Sequence, residues 1–223
     1  MMDKKTIAAM IDHTLLKPEA TPAQIEKLCA EAAEYHFASV CVNPVYIPLA
    51  ARLLKGTGVK VCCVVGFPLG AIAPEQKAAE AASCAAMGAE ELDMVIHVGA
   101  AKAGDWALVQ RDIEGVVKAA AGHTVKVIIE TCLLTDEEKE KMCDIVCEAG
   151  ADYIKTSTGF STAGATFHDV ELMVKGVHGR CKVKAAGGIS TVEDMEKFLA
   201  LGADRLGTSR AVKLLNGEQA KGY

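Results

Sequence analysis

Short runs of strand-forming residues alternate with segments of helical period along the whole chain, and this alternation constrains the fold more than any other feature. The candidate strands lie at residues 12–16, 39–43, 59–67, 91–97, 124–130, 152–156, 182–186 and 204–208. The clearest helical segments lie at residues 21–35, 74–87, 105–121, 135–149 and 191–200. Strands that are each followed by a helix are typical of a parallel sheet covered by helices.

Eight such units without a linker or a shift in composition predict one α/β domain. We expect a single (β/α)8 TIM barrel over residues 1–223, with a short flexible C-terminal tail at about 216–223. A doubly wound open sheet is the alternative. It would more often carry a G-x-G-x-x-G turn after its first strand, which this chain lacks. Residues 12–16 fit either a first strand or an ordered loop.

Composition limits the classes of partner and the compartment. The net charge of −5 argues against a nucleic-acid or membrane-surface footprint, but it allows a small anionic substrate. No run approaches the ~20 apolar residues of a membrane span, and no signal-peptide pattern is present, so we expect a cytoplasmic protein. The nine cysteines fit reduced core thiols. Cys143 and Cys147 lack the further ligands of a zinc site, so we expect no metal.

Two lysines, Lys155 and Lys184, lie near the ends of strand-like runs that pass directly into glycine-bearing loops. The carboxyl ends of barrel strands carry the catalytic groups. Lysine at such a position fits covalent chemistry, in which a neutral amine attacks a carbonyl and forms a Schiff base, with a second cation nearby. The alternative is that both lysines only cap strands in solvent.

Further charged residues occur along the candidate strands. Asp93 interrupts an apolar run, where an unpaired carboxylate is costly, so it needs a cationic partner for either a catalytic or a purely structural ion pair. Asp12 precedes His13, which we expect to orient it. Lys126 alternates with valines, which fits an inward-facing lysine or an exposed one.

Glycine-bearing loops follow the last three strands. The candidate residues are Gly159 after the sixth strand, Gly187 and Gly188 after the seventh, and Gly207, Thr208 and Ser209 after the eighth. Barrels often bind phosphate in the loops after the last two strands, through backbone N–H groups and a helix N-terminus. These loops therefore predict a phosphate site, although tight turns alone also require glycine.

Seven motifs, in the same order, are shared with one enzyme family. They are Asp-His-Thr-Leu-Leu-Lys-Pro, Val-Val-Gly-Phe-Pro-Leu-Gly, Glu-Leu-Asp-Met-Val, Val-Ile-Ile-Glu-Thr, Tyr-Ile-Lys-Thr-Ser-Thr-Gly-Phe, Val-Lys-Ala-Ala-Gly-Gly-Ile and Arg-Leu-Gly-Thr-Ser. Spread over nearly the whole chain, they closely resemble the deoxyribose-phosphate aldolases. The resemblance implies a class I aldolase that needs no metal or other cofactor. It would cleave 2-deoxy-D-ribose 5-phosphate reversibly into acetaldehyde and D-glyceraldehyde 3-phosphate.

The resemblance also implies roles for individual residues. Lys155 would be the Schiff-base nucleophile, Lys184 the cation that favours its neutral amine, and Asp93 the proton shuttle. Asp12 and Lys126 would support that shuttle and the substrate hydroxyls.

Two residues that we expect at the mouth of the barrel need separate comment, because one departs from the family motif and the other lies at the chain end. Some family members carry a phosphate-binding lysine where Phe160 stands here, so backbone amides would carry more of the recognition. Tyr223 ends the chain, as a tyrosine ends similar aldolases. It is either a transient proton relay at the enamine carbon or part of a plain disordered terminus.

The sequence is also compatible with other functions. A transaldolase-like Schiff-base barrel would act on a different, larger sugar phosphate, and a pyridoxal phosphate barrel more often carries its lysine on an early strand. A phosphate-binding barrel without catalysis would use its lysines only as counter-ions.

The expected partners are a sugar phosphate and aldehydes, with no nucleic acid and no membrane. We also expect a homo-oligomer, a dimer or a tetramer, because barrels commonly pair through helix faces.

Overall fold

Eight parallel strands pair in the order of the sequence, and β1 pairs with β8 to close a barrel. The computed structural model describes residues 2–218. The strands are β1 (Ile11–Leu15), β2 (Ser39–Val42), β3 (Lys60–Val65), β4 (Glu91–Val95), β5 (Thr124–Ile128), β6 (Tyr153–Lys155), β7 (Lys182–Ala186) and β8 (Arg205–Thr208). The predicted (β/α)8 barrel is confirmed, and residues 11–15 form a strand rather than a loop.

Three strands, β3, β4 and β5, each end two residues before the bound that the sequence predicts, and β1, β2 and β6 each end one residue before it. β3 stops before Gly66, and β5 stops two residues before Glu130. The φ angles of Gly66 and Glu130 are 62° and 54°, in the left-handed region, where a strand cannot continue. The ends of both predicted runs therefore belong to loops above the barrel.

Helices follow the strands around the outside of the described barrel. They are α1 (Lys4–Ala8), α2 (Pro22–Tyr35), α3 (Ile47–Leu54), α4 (Pro74–Met87), α5 (Val98–Lys102), α6 (Trp106–Ala119), α7 (Asp136–Glu148), α8 (Phe167–Val177), α9 (Val192–Ala200) and α10 (Ala211–Leu215). The sequence pattern above does not predict α8, although its start carries a signal. The Thr166 hydroxyl accepts a hydrogen bond from the Asp169 N–H at 3.0 Å, as an N-cap does. No helix within residues 2–218 is long and apolar enough to cross a membrane.

The two faces of the strands separate an outer apolar core from the barrel interior. Outward-facing residues such as Val40, Leu92, Val127, Ile154 and Leu206 are buried in the core between strands and helices. Successive side chains of a strand point to opposite faces, so the residues that alternate with these point inward. Burial of the outer layer supplies the main hydrophobic driving force for folding and leaves the interior available for polar groups.

The strand register arranges the inward-facing side chains in three layers of four, contributed alternately by even and odd strands. From the N-terminal end upward, the layers are Ser39, Glu91, Tyr153 and Arg205; then Asp12, Cys62, Lys126 and Lys184; then Cys41, Asp93, Lys155 and Gly207. Such layers usually hold branched apolar residues. Here most of the positions are charged, so closing the barrel itself assembles the candidate site.

The described chain ends just after α10. Gly217 and Glu218 donate backbone hydrogen bonds to the carbonyls of Leu214 and Lys213, both at 2.9 Å. The first residues of the predicted tail therefore contact the last helix. Residues 219–223 lie outside the described residues, and Tyr223 lies outside with them.

Candidate active site

Three of the predicted catalytic residues, Lys126, Lys155 and Lys184, meet at the carboxylate of a fourth, Asp93, in the centre of the barrel. Asp93 Oδ2 accepts hydrogen bonds from Lys155 Nζ and from Lys184 Nζ, both at 2.7 Å. Its other oxygen, Oδ1, accepts from Lys126 Nζ at 2.7 Å and from the Cys62 thiol at 3.1 Å. All of these side chains are buried. Lys126 therefore faces inward, which the sequence left open.

Asp12 forms the second carboxylate of this network. Its Oδ2 lies 2.5 Å from Lys184 Nζ and 3.5 Å from Lys126 Nζ. Its Oδ1 accepts from the Ser39 hydroxyl at 2.7 Å and from Arg205 Nη1 at 2.5 Å. Both oxygens are thus held by partners from other strands, and this fixes the plane of the carboxylate beneath Lys184.

Two charged residues of the network were not predicted, Glu91 and Arg205. Glu91 Oε2 lies 2.6 Å from Lys126 Nζ, and it also contacts Arg205 Nη1 at 3.1 Å. Both residues begin their strands, at the end of the barrel opposite the expected site. The two-residue period of a strand could have identified them, because Glu91 lies two residues before Asp93 and shares its face.

Burial and charge act in opposite directions on these groups, and charge prevails. Burial by itself would raise the pKa of Asp93, but the nearby lysines, Lys126 first among them, outweigh it and hold that pKa well below its ordinary value. The pKa of Asp12 is lowered in the same way, by Lys184 and Lys126 against burial. Burial would lower the pKa of Lys184, but the two aspartates raise it. At neutral pH both aspartates are ionised and Lys184 is a fixed cation.

Access distinguishes Lys155 from the other two lysines. A cavity of about 340 Å³ opens at the C-terminal end of the barrel, and of the three lysines only Lys155 lines it. Lys126 and Lys184 are fully buried below. A small carbonyl compound in this cavity can therefore reach the amine of Lys155, while the other two lysines contribute charge from beneath.

The predicted phosphate loops line the same cavity. Its walls include Gly159, Gly187, Gly188, Gly207, Thr208 and Ser209 together with Lys155. Gly187 and Gly188 have φ angles of 77° and 74°, a backbone that favours glycine. A Cβ on Gly207 would lie 3.1 Å from Lys184 Cε, so glycine there also leaves room for the lysine. The structure thus joins the two predicted groups of residues in one pocket.

Two cations at this pocket were not predicted, Lys17 and Arg210, which line it from the loops after β1 and β8. Phe160 also lines the pocket and is 49% exposed. Its ring meets Phe67 edge to face, with the ring centroids 5.3 Å apart. The wall at Phe160 is therefore apolar, and positive side chains stand elsewhere around the rim.

The expectation that His13 orients Asp12 is wrong. Neighbouring residues of a strand face opposite sides, and His13 points outward to α2, where its Nε2 lies 2.8 Å from Glu31 Oε2. Ser39 and Arg205 hold Asp12 instead.

Two groups of possible metal ligands occur within residues 2–218, namely Cys41, Cys62 and Asp93, and Asp136, His168 and Asp169. In each group a lysine already occupies a carboxylate. Lys126 contacts Asp93 at 2.7 Å, and Lys139 contacts Asp169 at 2.6 Å. A metal ion would have to displace these ammonium groups, so neither donor set fits a resident cation. A reaction without metal stays a prediction.

Comparison with known proteins gives a consistent result. The family model described as DeoC/LacD family aldolase matches residues 6–215. A deoxyribose-phosphate aldolase of Geobacillus sp. (strain WCH70) is 57% identical over 218 residues, covering 97% of this chain and 98% of that protein. The corresponding enzyme of Clostridium perfringens (strain SM101 / Type A) is 55% identical over 97% of both chains.

Solved structures agree with these sequence matches. The deoxyribose phosphate aldolase from Aeropyrum pernix, described as a unique tetrameric structure, superposes with a TM-score of 0.90 at 38% identity. The match covers 96% of this chain and 92% of that one. With the barrel, the buried lysine network and these matches together, the chain belongs to the DeoC/LacD aldolase family.

Proposed function

We infer that this protein is a class I aldolase that reversibly cleaves 2-deoxy-D-ribose 5-phosphate into acetaldehyde and D-glyceraldehyde 3-phosphate. Relatives that carry this activity in their names are 55% to 57% identical over nearly the full length. The observation that carries the assignment is the single lysine amine at the base of a glycine-lined cavity, 2.7 Å from a carboxylate that two further lysines share.

The first step is addition of the neutral Lys155 amine to the aldehyde carbon C1, which gives a carbinolamine. The C1 oxygen takes up a proton from water as the C–N bond forms, and the nitrogen then loses a proton. The group that accepts this proton returns it to the C1 hydroxyl, which leaves as water and gives a protonated imine. We assign this exchange to Asp93, which lies 2.7 Å from Lys155 Nζ. Lys184 and Lys126 keep Asp93 ionised and ready to accept.

The second step breaks the C2–C3 bond. The protonated imine accepts the electron pair of that bond, the C3 hydroxyl gives up its proton, and glyceraldehyde 3-phosphate leaves an enamine on Lys155. Protonation of the enamine at C2, followed by hydrolysis, releases acetaldehyde and the free amine. We propose that Asp12 and Lys126 support these proton transfers, because both hold the charge and orientation of the groups around Asp93.

The phosphate end of the substrate is assigned to the glycine loops. Gly187, Gly188 and Ser209 line the cavity beside Lys155, and Arg210 adds a guanidinium to the same wall. Backbone N–H groups and a guanidinium are both good partners for phosphate oxygens. Phe160 occupies a place where some relatives have a lysine, so Arg210 is the candidate for the missing positive charge.

Trapping by borohydride tests the proposal. In the presence of acetaldehyde, borohydride should inactivate the protein and leave one ethyl group on Lys155, because only an imine is reduced to a stable secondary amine. The Lys155→Leu variant should take up no label. Label on another lysine only would refute the nucleophile, and the absence of label would favour a phosphate-binding barrel without catalysis. Trapping with a larger ketose phosphate but not with acetaldehyde would favour a transaldolase-like enzyme.

Three broader proposals accompany this function. We propose one barrel domain for residues 1–223, a homo-oligomeric state of two or four chains, and a cytoplasmic location. The nine cysteines are all free, which suits a reducing compartment. Light scattering coupled to size exclusion would measure the mass of the assembly, and a monomer would contradict the second proposal.

A further inference from the structure

A pair of opposite charges closes the barrel beneath the catalytic lysines. Glu91 begins β4 and Arg205 begins β8, and their side chains meet across the barrel with Arg205 Nη1 3.1 Å from Glu91 Oε2. The side chain of Glu91 is 7% exposed and that of Arg205 is 14% exposed. We call these two residues the floor pair. Neither residue lines the substrate cavity.

Each member of the floor pair holds one member of the network above it. Arg205 Nη1 binds Asp12 Oδ1 at 2.5 Å, which leaves Asp12 Oδ2 for Lys184 at 2.5 Å. Glu91 Oε2 binds Lys126 Nζ at 2.6 Å, and Lys126 binds Asp93 Oδ1 at 2.7 Å. Two chains of contact therefore run from the floor pair to Asp93, and Asp93 contacts Lys155.

The charges of the three inward-facing layers balance only when Lys155 is neutral. These layers hold three carboxylates, those of Asp12, Glu91 and Asp93, while the buried Glu130 lies above them in the loop after β5. Lys126, Lys184 and Arg205 supply three cations. A neutral Lys155 leaves these numbers equal, whereas a protonated Lys155 adds an unbalanced positive charge in a buried space, which is costly.

We propose that Glu91 and Arg205 are positioning residues that control the protonation of Lys155 by setting the charge balance of the barrel interior. This proposal rests on the Schiff-base function proposed above. Loss of Arg205 leaves a deficit of positive charge, so Lys155 retains its proton to higher pH. Loss of Glu91 leaves an excess, so Lys155 releases its proton at lower pH. The two changes act in opposite directions, and the double change restores the balance.

Other titratable or charged groups also surround Lys155 in the described structure, and all of them stay unchanged in the test, except that Tyr153 is changed in the control variant. From β2, β3, β5 and β6, and from the loops around the cavity, they are Cys41, Cys62, Glu130, Tyr153, Lys17 and Arg210. Burial raises the pKa of Cys62, so its thiol stays neutral. Glu130 accepts a hydrogen bond from the Thr158 N–H at 3.2 Å.

The test compares Arg205→Gln, Glu91→Gln and the double variant. Both glutamines keep hydrogen-bonding capacity while removing one charge. The acid limb of the kcat/KM profile, which reports the free enzyme, should move up by on the order of one pH unit in Arg205→Gln and down by a similar amount in Glu91→Gln. The double variant should return towards the parent. Tyr153→Phe is the matched control, since the Tyr153 hydroxyl contacts Arg205 Nη2 at 3.5 Å without carrying charge, and its limb should not move.

Several outcomes separate this proposal from a purely structural role. The proposal would be overturned if kcat or Tm fell while the acid limb of the kcat/KM profile stayed in place. It would also be overturned if the acid limb moved in the same direction in both single variants. If Arg205→Gln does not fold, Arg205→Lys keeps the charge and should keep the parent limb, while a shifted limb there would refute the charge argument. The pH dependence of borohydride trapping provides a second readout. Failure of the parent to trap at Lys155 refutes the proposed function, whereas trapping whose pH dependence never moves refutes only the floor pair.

An independent observation concerns two thiols at the N-terminal end of the barrel, opposite the substrate cavity, in a cleft that Arg205 also lines. Cys147 on α7 and Cys181 just before β7 have their sulfur atoms 2.9 Å apart. A disulfide bond is about 2.05 Å long, so less than about an ångström of movement would join them. Both cysteines are half-buried and line an open cleft of about 760 Å³, which shares no residue with the substrate cavity. Arg180 lies in the same cleft and interacts electrostatically with Cys147. Burial raises the pKa of the Cys181 thiol.

The geometry points to a reversible disulfide between Cys147 and Cys181, formed by a low-molecular-weight disulfide such as glutathione disulfide. One protein thiolate attacks a sulfur of glutathione disulfide, the S–S bond breaks, and one glutathione leaves. The second protein thiolate attacks the mixed disulfide and releases the other glutathione. Two protein thiols are oxidised, one glutathione disulfide is reduced to two thiols, and the two protons pass to the released glutathione.

Peptide mapping after incubation of the folded protein with glutathione disulfide tests this site. We expect one Cys147–Cys181 crosslink, a Tm rise of roughly 5–15 °C that dithiothreitol reverses, and retained activity. Cys147→Ser should show no crosslink and no rise in Tm. A crosslink through other cysteines, or glutathione bound at any other cysteine without a Cys147–Cys181 crosslink, would overturn the proposal.

Discussion

Gly164 offers a test of the phosphate loop that does not alter any residue in contact with the substrate cavity. It lies between β6 and α8, where the backbone passes against Gly187 and Gly188. Ala165 N–H donates to the carbonyls of Ala186 and Gly187, both at 3.1 Å, so the two segments are held together. A Cβ on Gly164 would lie 2.4 Å from the Gly187 carbonyl carbon and 2.7 Å from Gly188 N.

The size of the expected effect follows from these distances. Ordinary contact begins at 3.4 Å, so Gly164→Ala must push the Gly187–Gly188 backbone away by about an ångström. Overpacking of this kind costs about 1–3 kcal/mol, and each kcal/mol lowers Tm by about 2–4 °C in a chain of this size. A misplacement of about an ångström can also reduce catalytic efficiency about 10²-fold.

Kinetics with two substrates separate loss of phosphate recognition from general damage. For Gly164→Ala we expect kcat/KM to fall about 10²-fold with 2-deoxyribose 5-phosphate, mainly through KM, and to change little with 2-deoxyribose. Gly115→Ala is the control. Gly115 lies in α6, and a Cβ there would meet Ala78 Cβ of α4 at an ordinary contact distance of 3.8 Å, so Tm should stay the same or rise. Parent kinetics and Tm in Gly164→Ala would refute the steric reasoning, and equal losses on both substrates would refute the phosphate role of the loop.

Further predictions concern the network, the phosphate wall and the chain end. Asp93→Asn should lose most turnover while still binding substrate, because an amide cannot shuttle protons; near-parental kcat would assign that role elsewhere. Lys184→Leu should move the acid limb of the kcat/KM profile to higher pH. It should also lower the free energy of unfolding by about 3–5 kcal/mol in denaturant, since two buried carboxylates lose a partner. An unmoved limb would mean that the amines of Lys155 and Lys184 do not interact. Arg210→Ala should raise KM for the phosphorylated substrate only, and Phe160→Lys should lower it; the reverse pattern would locate the phosphate elsewhere. Deletion of Tyr223 should slow turnover and solvent-deuterium incorporation into acetaldehyde at unchanged Tm, and parental rates would leave it a plain terminus.

The limits of sequence reasoning are clearest for individual side chains of the interior. The alternation around Lys126 is symmetrical, so it cannot tell whether the lysine or its valine neighbours face inward. The closed barrel decides this, because Val127 packs in the outer core. The same alternation refutes the role expected for His13, which must face away from Asp12. Glu91 and Arg205 were missed because catalytic groups are sought at the carboxyl ends of strands, whereas these two support the site from below.

Local signals in the sequence determined the eight strands, five of the helices and their order. Strand and helix periods, cap residues and glycines act over a few residues, so eight βα units and hence a barrel could be predicted without coordinates. The shared motifs also indicated the family and the lysine most suited to Schiff-base chemistry.

Only the tertiary structure decided which charges meet and which amine is accessible. Asp12 and Lys184 are 172 residues apart in sequence, and they touch because β8 pairs with β1 and fixes the register of the whole ring. No local pattern specifies such closure, since it depends on the packing of all eight strands at once. That register buries Lys126 and Lys184 below the cavity and leaves Lys155 at its base, where a substrate carbonyl can reach the amine.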